Sequence, residues 1–287
     1  MTRANIERLE SMIGCTVAGP GVGPLAVGEG EGPGRMLEPE ELSWEVGRLL
    51  GRDPVWEGRR VLVTAGPTRE ALDPVRYLGN RSSGRMGWAL AREAWLRGAE
   101  VRLVSGPVAL PDPRGVEVTR VESAREMLAA ARDRLDGVDL VIYAAAVADF
   151  RPETPLDRKL SRREGDGSAP VALAENPDVA RELRPELPPG AATLGFALET
   201  AELRERAAAK LREKGFTFIA ANPAGEPGVG FEAETNRILL LGPGGFSEEL
   251  SLAPKPEIAR LLLDRVAPHL PPTAGGGSPG PSGYDAG

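Results

Sequence analysis

From residue 59 onward the apolar positions of this chain alternate between two kinds of segment. At 59–65 (RRVLVTA) a nearly continuous aliphatic run predicts a strand buried on both faces. A long polar loop, a helical pattern over 85–97 and a second strand over 100–104 complete a βαβ unit. The pattern repeats with a short strand at 116–121, a helix at 123–135 and a very apolar strand at 140–145. After a short helix at 176–186 comes another unit: strand 193–198, alanine-rich helix 201–214 and strand 216–221. Residues 236–241 and 249–252 predict a hairpin at the sheet edge, and 257–266 a closing helix. Continuous apolar strands separated by helices imply an α/β fold, a mostly parallel sheet with helices on both faces and an edge hairpin.

Three segments fall outside this rhythm. Residues 1–58 have a helical pattern around Ile6, Leu9 and Met12, a glycine-rich stretch over 19–34 and another helical pattern near 40–50, too little to form a core alone. Residues 156–169 are polar and charged without periodicity, and read as a mobile flap. The end, rich in Gly, Pro and Ser from Pro271, reads as disordered. The expected organisation is an N-terminal extension over 1–58, one large domain over 59–268 and a disordered tail over 269–287.

Composition narrows the function. Among 287 residues, 42 Asp and Glu outweigh 35 Lys and Arg, and no basic block suggests a nucleic-acid footprint. No apolar run approaches the roughly 18 residues of a membrane span, and the first residues lack the apolar core of a signal peptide, so a cytoplasmic protein is expected. A single cysteine, Cys15, and a single histidine, His269, exclude internal disulfides and Cys/His metal cages. Any metal must be held by oxygen ligands and phosphate, as Mg²⁺ usually is. Lysine is rare: Lys159, Lys210, Lys214 and Lys255 stand in a chain whose other basic residues are arginine. A compact ammonium suits phosphate as a point charge.

The loop after the first strand, AGPTREALDPVRYLGNRSSGRMG, has no G-x-G-x-x-G and is too long for a dinucleotide turn. Its end, Ser82-Ser83-Gly84, falls at a helix start, where backbone N–H groups face an anion; an ordinary helix cap would read the same. Asp149 follows the small-residue run Ala144-Ala145-Ala146 at a strand end, where a nucleotide can approach the backbone. Lys210 and Lys214 are one helical turn apart, so both heads can face one ligand, and like charges at that spacing repel.

These stretches, with AAAVADFRP at 144–152, NPD at 176–178, GFALET at 195–200 and AN at 221–222, closely resemble the phosphopantothenate–cysteine ligase (phosphopantothenoylcysteine synthetase) family from about residue 59 to 267. In bacteria this is usually the C-terminal half of a bifunctional decarboxylase-synthetase. The resemblance implies a Rossmann-like fold, a homodimer, Mg²⁺, and ligation of 4′-phosphopantothenate to L-cysteine by way of a CTP-derived acyl-cytidylate. It assigns Asn80 to the acyl-cytidylate, near the oxyanion that develops when the amine attacks. Ser82, Ser83 and Gly84 join Asn80 around phosphopantothenate. CTP contacts carry over to Tyr143, Ala144, Ala145 and Asp149, to Pro177, Asp178, Val179 and Ala180, and to Phe196, Lys210 and Lys214. Asp149 is also the implied Mg²⁺ ligand. Lys159, in DRKLS, matches a more lysine-rich flap run; Ser161 and Arg162 replace lysines there. Substituting Lys210 or Lys214 should weaken nucleotide binding and leave stability nearly unchanged.

The N-terminal residues 3–40, ending in LAVGEGEGPGRMLEPEEL, resemble the end of the flavin-dependent decarboxylase that precedes the synthetase in bifunctional relatives. Val27 stands where that enzyme usually has a cysteine, and its histidine and flavin-binding sheet are missing, so FMN and decarboxylation are not expected, though a separate decarboxylase is a conceivable partner. Two rivals remain. One is a catalytically silent nucleotide-binding module; the other, a short-chain oxidoreductase, is disfavoured by the missing glycine fingerprint and Tyr-x-x-x-Lys pair.

Overall fold

The computed structural model describes residues 2–12, 14–25, 30–160, 170–199, 201–226 and 228–272. The chain divides into two compact units, Met1–Arg52 and Asp53–Gly287.

The first unit holds α1 (Thr2–Glu10), β1 (Gly21–Pro24), β2 (Glu31–Arg35) and α2 (Pro39–Gly51). The sequence reading has no strands in the glycine-rich stretch, yet β1 and β2 pair there as an antiparallel hairpin. Backbone hydrogen bonds make this hairpin, and Gly and Pro give it no alternating side chains to read. Leu37 is its buried apolar anchor, and α2 buries no residue fully.

The second unit opens with β3 (Arg60–Ala65), and its long loop folds into a small hairpin of β4 (Arg69–Ala71) and β5 (Tyr77–Gly79). Then come α3 (Arg85–Leu96), β6 (Glu100–Ser105), β7 (Glu117–Arg120), α4 (Ala124–Arg132) and β8 (Leu140–Tyr143). A second small hairpin, β9 (Phe150–Pro152) with β10 (Leu173–Glu175), precedes α5 (Val179–Leu183). The chain continues through β11 (Ala192–Glu199), α6 (Leu203–Lys214), β12 (Phe218–Pro223), β13 (Thr235–Leu241), β14 (Ser247–Pro254) and α7 (Lys255–Val266).

The main sheet runs β14-β13-β12-β11-β8-β3-β6-β7. The six strands from β12 to β7 are parallel, and the edge hairpin of β13 and β14 joins antiparallel. In chain order the parallel part is the doubly wound Rossmann arrangement, with its switch point between β3 and β8. Buried Leu62, Val141 and Tyr143 pack with Met127 and Ala131 of α4 and with Val179 and Leu183 of α5. Phe216 joins this core to the one under α6. α3 crosses from β3 to β6 and packs against α7, while α4 crosses back from β7 to β8, so right-handed crossovers set them on opposite faces.

Several boundaries differ from the sequence reading for local reasons. The helix expected over 123–135 runs from Ala124 to Arg132; the Ser123 hydroxyl accepts from Glu126 N at 3.2 Å, and buried Glu70 accepts from Ala124 N at 2.9 Å. The short helix starts at Val179 rather than 176, because Asp178 is its cap and accepts from Arg181 N at 3.3 Å. α6 starts at Leu203 and ends at Lys214, capped by Gly215, whose φ of 64° suits glycine. His269, placed by sequence in the tail, packs edge-on to the Phe218 ring at 5.0 Å; residues 273–287 lie outside the described residues.

One contact sets the depth of the site. A Cβ on Gly87 would lie 2.4 Å from Ala65 Cβ, so only glycine lets the first turn of α3 pack this closely on the end of β3.

Candidate functional site

Two loops line the carboxyl ends of the switch-point strands. Ala144 N donates to Thr64 O at 3.0 Å and Ala146 N to Gly66 O at 2.9 Å, extending the pairing of β3 and β8 beyond the sheet. Buried Thr68 accepts Ala148 N on its Oγ1 at 2.9 Å. Asn176 then ties the NPD segment to this wall, through Nδ2 to Ala148 O and N to Asp149 O, both at 2.8 Å. The result is a cavity of about 560 Å³ at the switch point, where an open α/β sheet binds its ligands.

Nearly all the residues singled out by sequence meet there. Asn80, Ser82 and Gly84 line one side, Tyr143, Ala144, Ala145 and Asp149 the floor, and Pro177 to Ala180 another side. Phe196, Lys210 and Lys214 close the far end. Ser83 lies beside them rather than in the lining; its hydroxyl donates to Phe231 O and holds the loop of Phe231 against the start of α3. Gly84 caps α3 with φ 76° and no side-chain acceptor, so the first-turn N–H groups of α3 are left to the cavity.

Lys159 is not in the lining. It is exposed, immediately before Leu160, which returns to the β4–β5 turn: Leu160 N donates to Asp73 Oδ2 at 3.2 Å and Arg76 donates to Leu160 O at 3.0 Å. Arg76 also bonds the Asp73 carboxylate, which holds that carboxyl well below the usual range. Residues 161–169, the rest of the expected flap, with Ser161 and Arg162, lie outside the described residues, as do Val27 and Thr200.

The side chains differ from the sequence picture in three respects. Asn80 Nδ2 donates to Ala146 O and Val147 O, each at 3.0 Å, so both amide hydrogens are engaged with the opposite wall. Lys210 and Lys214 are not a bare repelling pair. Lys210 Nζ lies 2.6 Å from Glu199 Oε1, and Lys214 Nζ lies 2.5 Å from Asp178 Oδ2. Tyr143 is more than a backbone contact. Its buried hydroxyl has no partner, and burial, aided by the negative charge of Asp178, raises its pKa well above the usual range, so it stays a neutral donor. Phe216 stacks beside it with ring centroids 5.4 Å apart.

Sequence reasoning assigned no site role to several polar residues of the lining, among them Thr64, Arg85, Glu175, Arg181, Asn222, Asn236 and Lys255. Asn222, Asn236 and Lys255 are buried. Lysine rarity was the signal for Lys255, and the AN motif the signal for Asn222. Among the described residues no three His, Cys, Asp or Glu side chains gather as a metal cage, and Asp149 is an exposed carboxylate in the lining.

Residues 56–270 match the DNA/pantothenate metabolism flavoprotein C-terminal domain family. The chain belongs to this family. Among relatives of this flavoprotein C-terminal domain, the coenzyme A biosynthesis bifunctional protein CoaBC of Vibrio parahaemolyticus serotype O3:K6 is 42% identical over 252 residues, 88% of this chain and 62% of that protein. The chain therefore spans less than two thirds of that relative's length. A solved structure of the C-terminal domain of a coenzyme A biosynthesis bifunctional protein CoaBC superposes with a TM-score of 0.63 at 39% identity, covering 75% of this chain and 97% of that one. A mutant of Cab2 in complex with phosphopantothenate-cysteine shares the fold at 18% identity, with a TM-score of 0.61 over 80% of this chain and 92% of that one. No helix among the described residues is long and apolar enough to cross a membrane.

Proposed function

We propose that this chain is a phosphopantothenate–cysteine ligase that joins 4′-phosphopantothenate to L-cysteine in coenzyme A biosynthesis, with CTP as the activating nucleotide. The observation that carries this reading is the convergence, in one cavity at the switch point, of Asn80, Ser82 and Gly84, of residues 143–149 and 176–181, and of Phe196, Lys210 and Lys214. The name of the Vibrio relative, the family match and the ligand of the Cab2 mutant support it.

The chemistry suits the lining. The carboxylate of phosphopantothenate attacks the α-phosphorus of CTP and pyrophosphate leaves; the cysteine amine then attacks the acyl-cytidylate carbonyl and CMP leaves. Neither step needs a protein nucleophile, only positioning and charge compensation. Phe196 offers a ring face to the base, and Tyr143 an unused buried donor. Asn80, bridging the two strand ends, sets the wall where the acyl group reacts. A Mg²⁺ ion would neutralise phosphate charge here, held mainly by phosphate oxygens with Asp149 as the protein carboxylate.

The preference for CTP over ATP rests on the family resemblance. The deciding assay supplies nucleotide, Mg²⁺, 4′-phosphopantothenate and cysteine, and follows pyrophosphate and phosphopantothenoylcysteine. Product with CTP exceeding that with ATP is expected. Equal turnover with ATP would remove CTP from the proposal; nucleotide binding without product would favour the silent module.

A homodimer is part of the proposal. The β4–β5 hairpin lies against β9, and the two small hairpins with their adjoining turns expose Val75, Tyr77, Phe150 and Leu173, at 63%, 52%, 49% and 52%. Exposed apolar side chains gathered on neighbouring elements mark an interface. Light scattering should give twice the chain mass, and Phe150→Asp with Leu173→Asp should give monomer. A wild-type monomer at micromolar concentration refutes it.

A further inference from the structure

Lys255 opens α7, is 4% exposed and lines the cavity. Its Nζ donates to Gly230 O at 3.0 Å, to Ala233 O at 2.5 Å and more weakly to Phe231 O at 3.5 Å. These partners are dipoles, and none of its hydrogen bonds goes to a carboxylate. Burying an ammonium without a counter-ion disfavours its charge. Burial, with the positive charge of Arg85 beside it, accordingly brings its pKa from 10.5 to about 8.

Arg85 is the first residue of α3 and also lines the cavity; its Nη1 donates to Glu232 O at 3.1 Å. Two mutually repelling cations thus stand by the uncapped first turn of a helix of 12 residues, whose dipole adds further positive potential. The far end is different. There Lys210 and Lys214 are each matched by a carboxylate. Among the described residues, Lys255 and Arg85 are thus bonded to backbone carbonyls where Lys210 and Lys214 are paired with carboxylates.

We propose that Lys255 and Arg85, with the open first turn of α3, form the phosphate pole of the cavity and hold the tail of the nucleotide, the two phosphates that depart as pyrophosphate. This rests on the ligase reading above. When the carboxylate oxygen bonds to the α-phosphorus, the bond from that phosphorus to the bridging oxygen breaks. The electron pair stays on the pyrophosphate oxygen, where the two cations compensate it, and no proton transfer is needed. The contacts to Gly230 O and Ala233 O fix Lys255 Nζ in place before the ligand arrives, and its third hydrogen, only weakly engaged by Phe231 O at 3.5 Å, is the one a phosphate oxygen takes.

The test titrates inorganic pyrophosphate, CTP, cytidine and 4′-phosphopantothenate onto the full chain and onto Lys255→Met and Arg85→Gln by calorimetry. Both variants should lose about 10- to 100-fold in affinity for pyrophosphate and CTP, as expected for a desolvated charged hydrogen bond. Cytidine and 4′-phosphopantothenate should change by less than about twofold. Lys255→Met also removes a brace of the 230–233 loop, so melting is recorded, and Arg85→Gln carries the test if Lys255→Met does not fold. Unchanged pyrophosphate affinity in a folded variant overturns the proposal and leaves Lys255 as a loop brace. A loss confined to 4′-phosphopantothenate overturns it too, moving the pole to the phosphomonoester of the acid substrate. If the wild type binds pyrophosphate but no cytidine nucleotide, and the variants lose pyrophosphate, the CTP reading fails while the pole stands.

Discussion

Asn80→Asp should reduce ligation by about 100-fold or more, with little change in the melting temperature. The native amide spends its two hydrogens on Ala146 O and Val147 O, tying the end of the first long loop to the small-residue floor of the cavity. A carboxylate at that position has no hydrogen to give and faces two carbonyl oxygens. It must turn away, and its charge then lies against an anionic acid and a developing oxyanion. Asn80→Ala removes the tie without adding the charge, so its loss of rate should be smaller. Because Asn80 is exposed and sits in a loop, neither change should cost much stability. Ligation followed at saturating CTP, phosphopantothenate and cysteine checks this order. Near-normal rates in both variants would remove Asn80 from the site, and equal losses would assign its effect to the tie alone.

Lys210→Ala should weaken nucleotide binding and also destabilise the chain, by about 1–2 kcal/mol. The second effect is the opposite of what the sequence suggests for an exposed helical lysine. Its cause is Glu199, whose side chain is only 6% exposed and whose Oε1 lies 2.6 Å from Lys210 Nζ. Removing the ammonium leaves a buried carboxylate with, among the described residues, Arg206 at 3.7 Å in partial compensation. Lys210 itself is 44% exposed, so solvent screens the pair and the loss stays below that of a fully buried ion pair. Glu199→Gln in the Lys210→Ala background should recover the stability and leave the nucleotide affinity low. That double substitution separates a ligand contact from a structural one. Recovery of both would make Lys210 a partner of Glu199 and nothing more, and recovery of neither would place the damage in the backbone of α6.

The main sheet was legible in the sequence because burial on both faces writes a continuous apolar run into each strand, and Leu140–Tyr143 or Arg60–Ala65 needs no partner to be recognised. The small hairpins were not. β4, β5, β9 and β10 have three residues each, and the last two pair across a polar segment of 20 residues, between 152 and 173. Three residues carry no period, so only the pairing itself reveals them.

The same division runs through the site. The family resemblance of the sequence motifs implied Asn80, Asp178, Phe196, Lys210 and Lys214, and the fold brings all five to one cavity. What each side chain does there depended on contacts between distant positions. Asn80 reaches Ala146 across 66 residues, and Lys214 reaches Asp178 across 36. Lys255 stood out in the sequence only by the rarity of lysine; its burial under the 230–233 loop, against backbone carbonyls and beside Arg85, is a product of how α7 packs. Sequence determines which strands and helices form, because burial periodicity is a local property; the charge balance of the cavity was decided only by tertiary structure, because desolvation and ion pairing depend on which distant groups the fold brings within a few ångströms.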